Sequence, residues 1–176
     1  MENIVNTLKS KQIIQTGNFT LKSGKKSNIY IDLRLLLNEP ILTKEISILL
    51  KEKIIYCDNM KICGIPYGAI PYACCISTTY NIPQIMIRKE QKNYGTKKLI
   101  EGVLNENDNI VLIEDIITTG SSLYNTIKTL EENNIKIHQI LVIIDRTNNN
   151  MKYIKNLGYK IDSLLTIEDI LDKHDN

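Results

Sequence analysis

Apolar residues recur along this chain at two spacings, and the change from one to the other predicts its elements. Residues 3–14 carry Ile4, Val5, Leu8 and Ile13 near the helical period, and Thr16-Gly17 closes the run, so a first helix is expected there. Residues 19–21 and 29–33 favour strands, and the polar stretch 22–27 between them has turn composition, which predicts a hairpin with a basic tip. After Pro40, the spacing of Ile46, Leu49, Leu50 and Lys53 predicts a second helix over 41–55, with Thr43 as a cap in its first turn.

From residue 61 the pattern changes. Short apolar runs at 61–65, 84–87, 110–113 and 137–144 are bounded by turn residues and separated by helix-compatible segments at 68–80 and 121–133. Such alternation implies a parallel sheet covered by helices. A short piece at 151–157, a strand-like run at 160–165 and a short helix from Ile167 complete the chain. The expectation is one α/β domain spanning 1–176, a core from about 41 and an N-terminal hood of about 1–40 lying over the sheet's edge.

Composition adds exclusions. With 176 residues, 43% hydrophobic and 24% charged, the chain has the make-up of a soluble domain that needs no disulfide or metal staple. The net charge of +2 indicates no nucleic-acid partner in bulk, and no apolar run approaches the length of a membrane span, so the reading is cytosolic. Cys57, Cys63, Cys74 and Cys75 form no C-x-x-C pair and lie far from His138 and His174, which argues against zinc. Cys74 and Cys75, within an apolar stretch, are expected to be small buried side chains.

The most informative segment is 111–122, VLIEDIITTGSS. An apolar strand ends in Glu114 and Asp115, then passes through Ile116 and Ile117 into a turn of Thr118, Thr119, Gly120, Ser121 and Ser122 that opens a helix. Amides at a helix start, with four hydroxyls around them, suit a phosphate, and Gly120 lets the backbone approach closely. The two carboxylates ahead of this cup can accept hydrogen bonds from a sugar's hydroxyls or hold magnesium, directly or through water. The G-x-x-x-x-G-K-[ST] and G-x-G-x-x-G patterns are both missing. Taken alone, the same residues also fit a solvated strand end and a plain helix cap.

This segment resembles the ribose-phosphate signature of the type I phosphoribosyltransferases, whose fold is a parallel sheet flanked by helices under a variable hood. Three further segments narrow the resemblance to the orotate phosphoribosyltransferases. Residues 17–34, GNFTLKSGKKSNIYIDLR, are similar to their hood, 64–71, GIPYGAIP, to their pyrophosphate loop, and 88–102, RKEQKNYGTKKLIEG, to their catalytic loop. The wording is nearest to the phosphoribosyltransferase half of bifunctional uridine monophosphate synthases. Their second enzyme, an orotidylate decarboxylase, needs a barrel of about 250 residues that this chain does not hold, which implies a separate decarboxylase, with association between the two left open.

The resemblance implies displacement of pyrophosphate from 5-phosphoribosyl-1-pyrophosphate (PRPP) by N1 of orotate, with Mg2+ bound mainly through PRPP. It assigns catalysis to Lys92 and Asp115. It assigns substrate binding to Lys22 and Tyr30 on the hood, Tyr67 and Gly68 at pyrophosphate, Arg88, Lys89 and Tyr94 on the catalytic loop, residues 114–122, and Arg146 at the orotate carboxylate. Five basic residues and one acid between 88 and 98 predict a loop that is mobile when empty and ordered over an anion. In the family this loop covers the neighbouring subunit's site, which implies a homodimer. Many relatives have lysine at position 68, aspartate at 93 and histidine at 94. Gly68 shifts reliance onto the backbone, Asn93 carries no assigned role, and the neutral Tyr94 phenol can still donate to a phosphate oxygen. The competing readings are a purine or uracil phosphoribosyltransferase and a non-catalytic PRPP-sensing regulator.

Overall fold

A computed structural model describes residues 2–20, 24, 26–89, 99–147, 154 and 156–171. The chain divides into two units, Met1–Pro40 and Ile41–Asn176.

In the first unit, helix α1 (Glu2–Ser10) buries Val5 and Leu8. It stops short of the residue 14 expected from the sequence. The apolar stripe of a longer helix would continue at positions 11 and 12, which are Lys and Gln. Gln12 instead takes a left-handed turn at φ 57°, and Ile13 and Ile14 are buried at the entry to strand β1 (Ile14–Thr20). β1 pairs antiparallel with β2 (Lys26–Ile31), with a register shift between Thr16 and Phe19. Phe19 and Tyr30 place their ring centroids 5.5 Å apart. A 3-10 turn at Leu33–Asn38 follows, capped by Asp32, whose two oxygens accept from the Arg34 guanidinium at 2.7 and 2.6 Å.

Helix α2 (Pro40–Glu52) begins at Pro40, so Thr43 lies inside its first turn and is not its cap. It ends before the expected residue 55 because the Gln139 side chain claims the backbone beyond it: Oε1 accepts from the Ile55 N–H at 3.0 Å and Nε2 donates to the Lys53 carbonyl at 2.9 Å. The sheet of the second unit comprises β3 (Met60–Gly64), β4 (Gln84–Ile87), β5 (Ile100–Glu101), β6 (Asn109–Ile117), β7 (Lys136–Asp145) and β8 (Ile161–Thr166), in the order β5-β4-β3-β6-β7-β8. Every pairing is parallel except that of β4 with β5. The two-residue β5 carries too little apolar pattern to be foreseen.

Helix α3 (Ile70–Tyr80) joins β3 to β4, and α4 (Ser121–Glu132) joins β6 to β7; α5 (Ile167–Leu171) follows β8. Because β3 and β6 are neighbours whose chains leave in opposite directions, a crevice opens beyond their carboxyl ends. α3 buries Tyr72, Ala73 and Ile76. Cys74 falls on its opposite side and is exposed, and Cys75 is half-buried, which corrects the expectation that both are core residues; Cys63, on β3, is fully buried. Residues 151–153 and 155 of the piece 151–157 lie outside the described residues, while Ile154 is buried. Among the described residues no helix is long and apolar enough to cross a membrane.

Leu112, fully buried at the centre of β6, pairs with Cys63 on one side and Ile140 on the other. Leu112→Ala should lower the stability of the fold by about 3 kcal/mol in urea unfolding, with the denaturant slope unchanged.

Candidate active site at the carboxyl ends of the central strands

β6 does not end at the two acids, as the sequence suggested, but carries through them to Ile117. Ile116 and Ile117 suit a strand, and β7 supplies partners as far as Asp145, with the Arg146 N–H donating to the Ile117 carbonyl at 2.9 Å. Successive side chains of a strand point to opposite faces, so the acids meet different surroundings. Glu114 is 5% exposed, whereas Asp115 is half-buried and accepts the Ile116 N–H on Oδ1 at 2.8 Å. Burial pushes the Glu114 carboxyl up to about 9; its hydrogen bond to Asp115 and the Asp115 charge act the same way, and a hydrogen bond with Ser122 opposes them. Burial thus favours the protonated, neutral form of Glu114.

The turn after β6 presents Thr118, Thr119, Ser121 and Ser122 to solvent. Gly120 is buried beneath them at φ 77°, a left-handed conformation that disfavours any side chain, and an added Cβ would come 2.9 Å from Ile154 Cδ1. The Gly120 carbonyl accepts the Tyr124 N–H at 2.8 Å as the first bond of α4, and no side chain caps the helix start. The Thr119 hydroxyl lies 3.1 Å from that of Ser121 and accepts the Ser121 N–H at 3.4 Å. The result is an exposed cup of hydroxyls at the positive end of a helix.

The turn 65–69 lies one strand away, fastened by the Ile65 N–H donating to the Ile113 carbonyl at 2.8 Å. The peptide bond between Pro66 and Tyr67 is cis. Tyr67 is 68% exposed, with the Lys89 ammonium 4.4 Å from its ring centroid. Gly68 sits so close to Asp115 that a Cβ built on it would overlap the carboxylate.

Arg88 follows β4 and marks the start of the basic loop. Its N–H donates to the Leu99 carbonyl at 2.8 Å and its guanidinium meets Glu101 at 3.2 Å. Its Nε is buried without a hydrogen-bond partner among the described residues. Two cavities meet at this arginine. One, of about 390 Å³, is lined by Arg88, Lys89, Ser122, Asn125, Thr126 and Thr129. The other, of about 530 Å³, is lined by Pro66, Tyr67, Ile70, Met86, Arg88 and Lys89.

Tyr67, Arg88, Lys89 and Ser122 thus line these cavities, while Gly68 meets Asp115 at the crevice beyond β3 and β6. Arg146 follows β7 beside it, half-buried, with burial lowering its affinity for the proton. Asp145 accepts from both the N–H and the hydroxyl of Thr147, at 2.7 and 2.6 Å. Tyr30 belongs to the first unit, where it packs on Phe19. Lys22, Lys92 and Tyr94 lie outside the described residues, as does the rest of 90–98. Tyr72 was not singled out in the sequence, where it reads as a core residue of an apolar helix. It is 2% exposed, and burial, followed by the Asp115 charge, pushes its phenol up.

No family model matches the chain. It is 38% identical over 166 residues to an orotate phosphoribosyltransferase of Methanosphaera stadtmanae, covering 94% of this chain and 93% of that one. It is 35% identical over 173 residues to a uridine 5'-monophosphate synthase of Bos taurus, covering 96% of this chain and only 35% of the longer one. The crystal structure of orotate phosphoribosyltransferase from Aeropyrum pernix superposes with a TM-score of 0.79 at 26% identity, over 97% of this chain and 98% of that one.

The neutral Glu114 has a measurable consequence. The unfolded chain ionises this carboxyl near its ordinary value of 4.5 and the folded chain near 9, so the folded state binds the extra proton between them and stability falls as pH rises through that window. Glu114→Gln should lack this slope, melting at the wild-type temperature near pH 4.5 and about 2 °C or more above it at pH 8. Parallel melting profiles across that range would count against the protonated carboxyl.

Proposed function

The chain belongs to the orotate phosphoribosyltransferase family, and on that premise we propose that it transfers the 5-phosphoribosyl group from PRPP to N1 of orotate, yielding orotidine 5'-monophosphate and pyrophosphate for pyrimidine nucleotide synthesis. The observation that carries the reading is the hydroxyl cup 118–122 lying one strand from the 65–69 turn, with Asp115 between them. A phosphorylated sugar bearing a second anionic group one sugar ring away suits that spacing.

In this reading the amides and hydroxyls of 118–122 hold the 5-phosphate, and Asp115 accepts from the ribose hydroxyls. The backbone around Tyr67 and Gly68, with Arg88 and Lys89, faces the diphosphate. N1 of orotate forms the new bond to C1 as the bond from C1 to the diphosphate oxygen breaks; that oxygen keeps the electron pair, and the N1 proton passes to solvent. Negative charge gathers on the leaving group as the ribose becomes cationic, so fixed positive charge at the diphosphate lowers the barrier. Lys92 supplies the cation that follows this charge, and Tyr94 adds a neutral donor. Arg146 offers the planar fork that suits the orotate carboxylate, while Lys22 and Tyr30 of the hood contact the donor and the base.

Magnesium would be held here mainly through the diphosphate of PRPP, with the Asp115 carboxylate facing the crevice beside it. When bound with PRPP, the ion neutralises diphosphate charge. We further propose a cytosolic homodimer in which residues 88–98 of one subunit cover the site of the other.

Purified protein given PRPP, magnesium and orotate should consume orotate and release pyrophosphate. Faster turnover of uracil or hypoxanthine would reassign the base, and donor binding without turnover would favour a sensor. Lys92→Ala should lower kcat by roughly a hundredfold or more while leaving the melting temperature unchanged. If the loop crosses between subunits, mixing inactive Lys92→Ala and Asp115→Ala dimers under exchange should recover about a quarter of wild-type activity, because half of each mixed dimer's sites carry neither change. No recovery after demonstrated exchange would confine the loop to its own subunit.

A further inference from the structure

We propose that Gly68 is a positioning residue: its bare α-carbon lets the 65–69 turn close onto Asp115, and so fixes the direction in which that carboxylate meets the ribose. The inference deepens the donor reading above and rests on it. It makes the diphosphate and ribose subsites one mechanical unit, since the turn that faces the first also sets the acid that serves the second.

Backbone geometry does not explain a glycine at this position. Gly68 is not among the glycines with positive φ, so its conformation is open to other residues. Space does explain it. A Cβ at Gly68 would overlap Oδ2 of Asp115 and stand 3.1 Å from Oδ1.

The atoms that Cβ would meet are the carboxylate end of the Asp115 side chain, half-buried at the crevice. Asp115 is held through Oδ1 by the Ile116 N–H at 2.8 Å, where β6 is paired with β7, Ile116 lying opposite Ile144, and the ladder with β3 has ended at Ile113 opposite Gly64. The buried Tyr72, on the helix that follows the turn, lies within the electrostatic influence of the same carboxylate. The turn is held by the Ile65 N–H on the Ile113 carbonyl at 2.8 Å and the Ala69 N–H on the Ile65 carbonyl at 3.3 Å, and Ala69 is fully buried. Any side chain at 68 must therefore turn the carboxylate away or lift the turn.

A double-mutant cycle on PRPP binding tests this, using Gly68→Ala, Asp115→Ala and the pair, with dissociation constants measured by calorimetry in magnesium. Gly68→Ala should weaken PRPP binding roughly tenfold or more in the wild-type background and less than about threefold once Asp115 is alanine. Additive losses would overturn the proposal. Should Gly68→Ala fail to fold, the double variant is expected to fold because the overlap is gone, and its failure to do so would overturn the proposal equally. Orotate turnover by the wild-type protein is scored separately. PRPP binding without turnover refutes the transferase reading and leaves the cycle decisive for Gly68, whereas turnover with an additive cycle refutes only the role of Gly68.

Discussion

The pairing of β3 with β6 is the constraint on which the rest depends. Strands in a sheet run about 4.8 Å apart, so whatever follows Gly64 and whatever follows Ile113 are forced into one another's company. The chain uses that proximity twice. The Ile65 N–H continues the ladder past the end of β3, and the next residues fold back over Asp115 without a side chain between. Two loops that are distant in sequence are thereby held in register by backbone hydrogen bonds, which few side-chain changes can disturb.

Charge is distributed by burial more than by count. A net charge of +2 describes nothing about the crevice, where Arg88 and Lys89 share a cavity with Ser122. Burial pushes the Glu114 carboxyl up, so a strand that brings two acids together favours one negative charge over two. The half-burial that makes Arg146 cling less to its proton also strengthens any bond it makes to an anion, because the same low polarity acts on both.

Much of this was legible in the sequence. The α/β class followed from the alternation of apolar runs, and the cup followed from a strand running into Thr-Thr-Gly-Ser-Ser. Three features were not. The end of α1 depends on which face meets the hairpin, and Ile13 and Ile14 satisfy a strand as readily as a helix. The exposure of Cys74 depends on which side of α3 faces the sheet, and the helix is apolar nearly all round, so periodicity does not orient it. The contact between Gly68 and Asp115 joins residues 47 positions apart, and only the strand order brings them together.

The β4–β5 pair has a consequence for how this protein can change over generations. Arg88 and Leu99 are joined backbone to backbone, and Ile87 lies opposite Ile100, so the stretch between them leaves and re-enters the sheet at a single point. The closure entropy of such a stretch grows slowly, by about 0.6 kcal/mol for each doubling of its length. Insertions and deletions can accumulate there at little expense to the core, so the length of that stretch is free to drift among descendants while the strands that bound it are not.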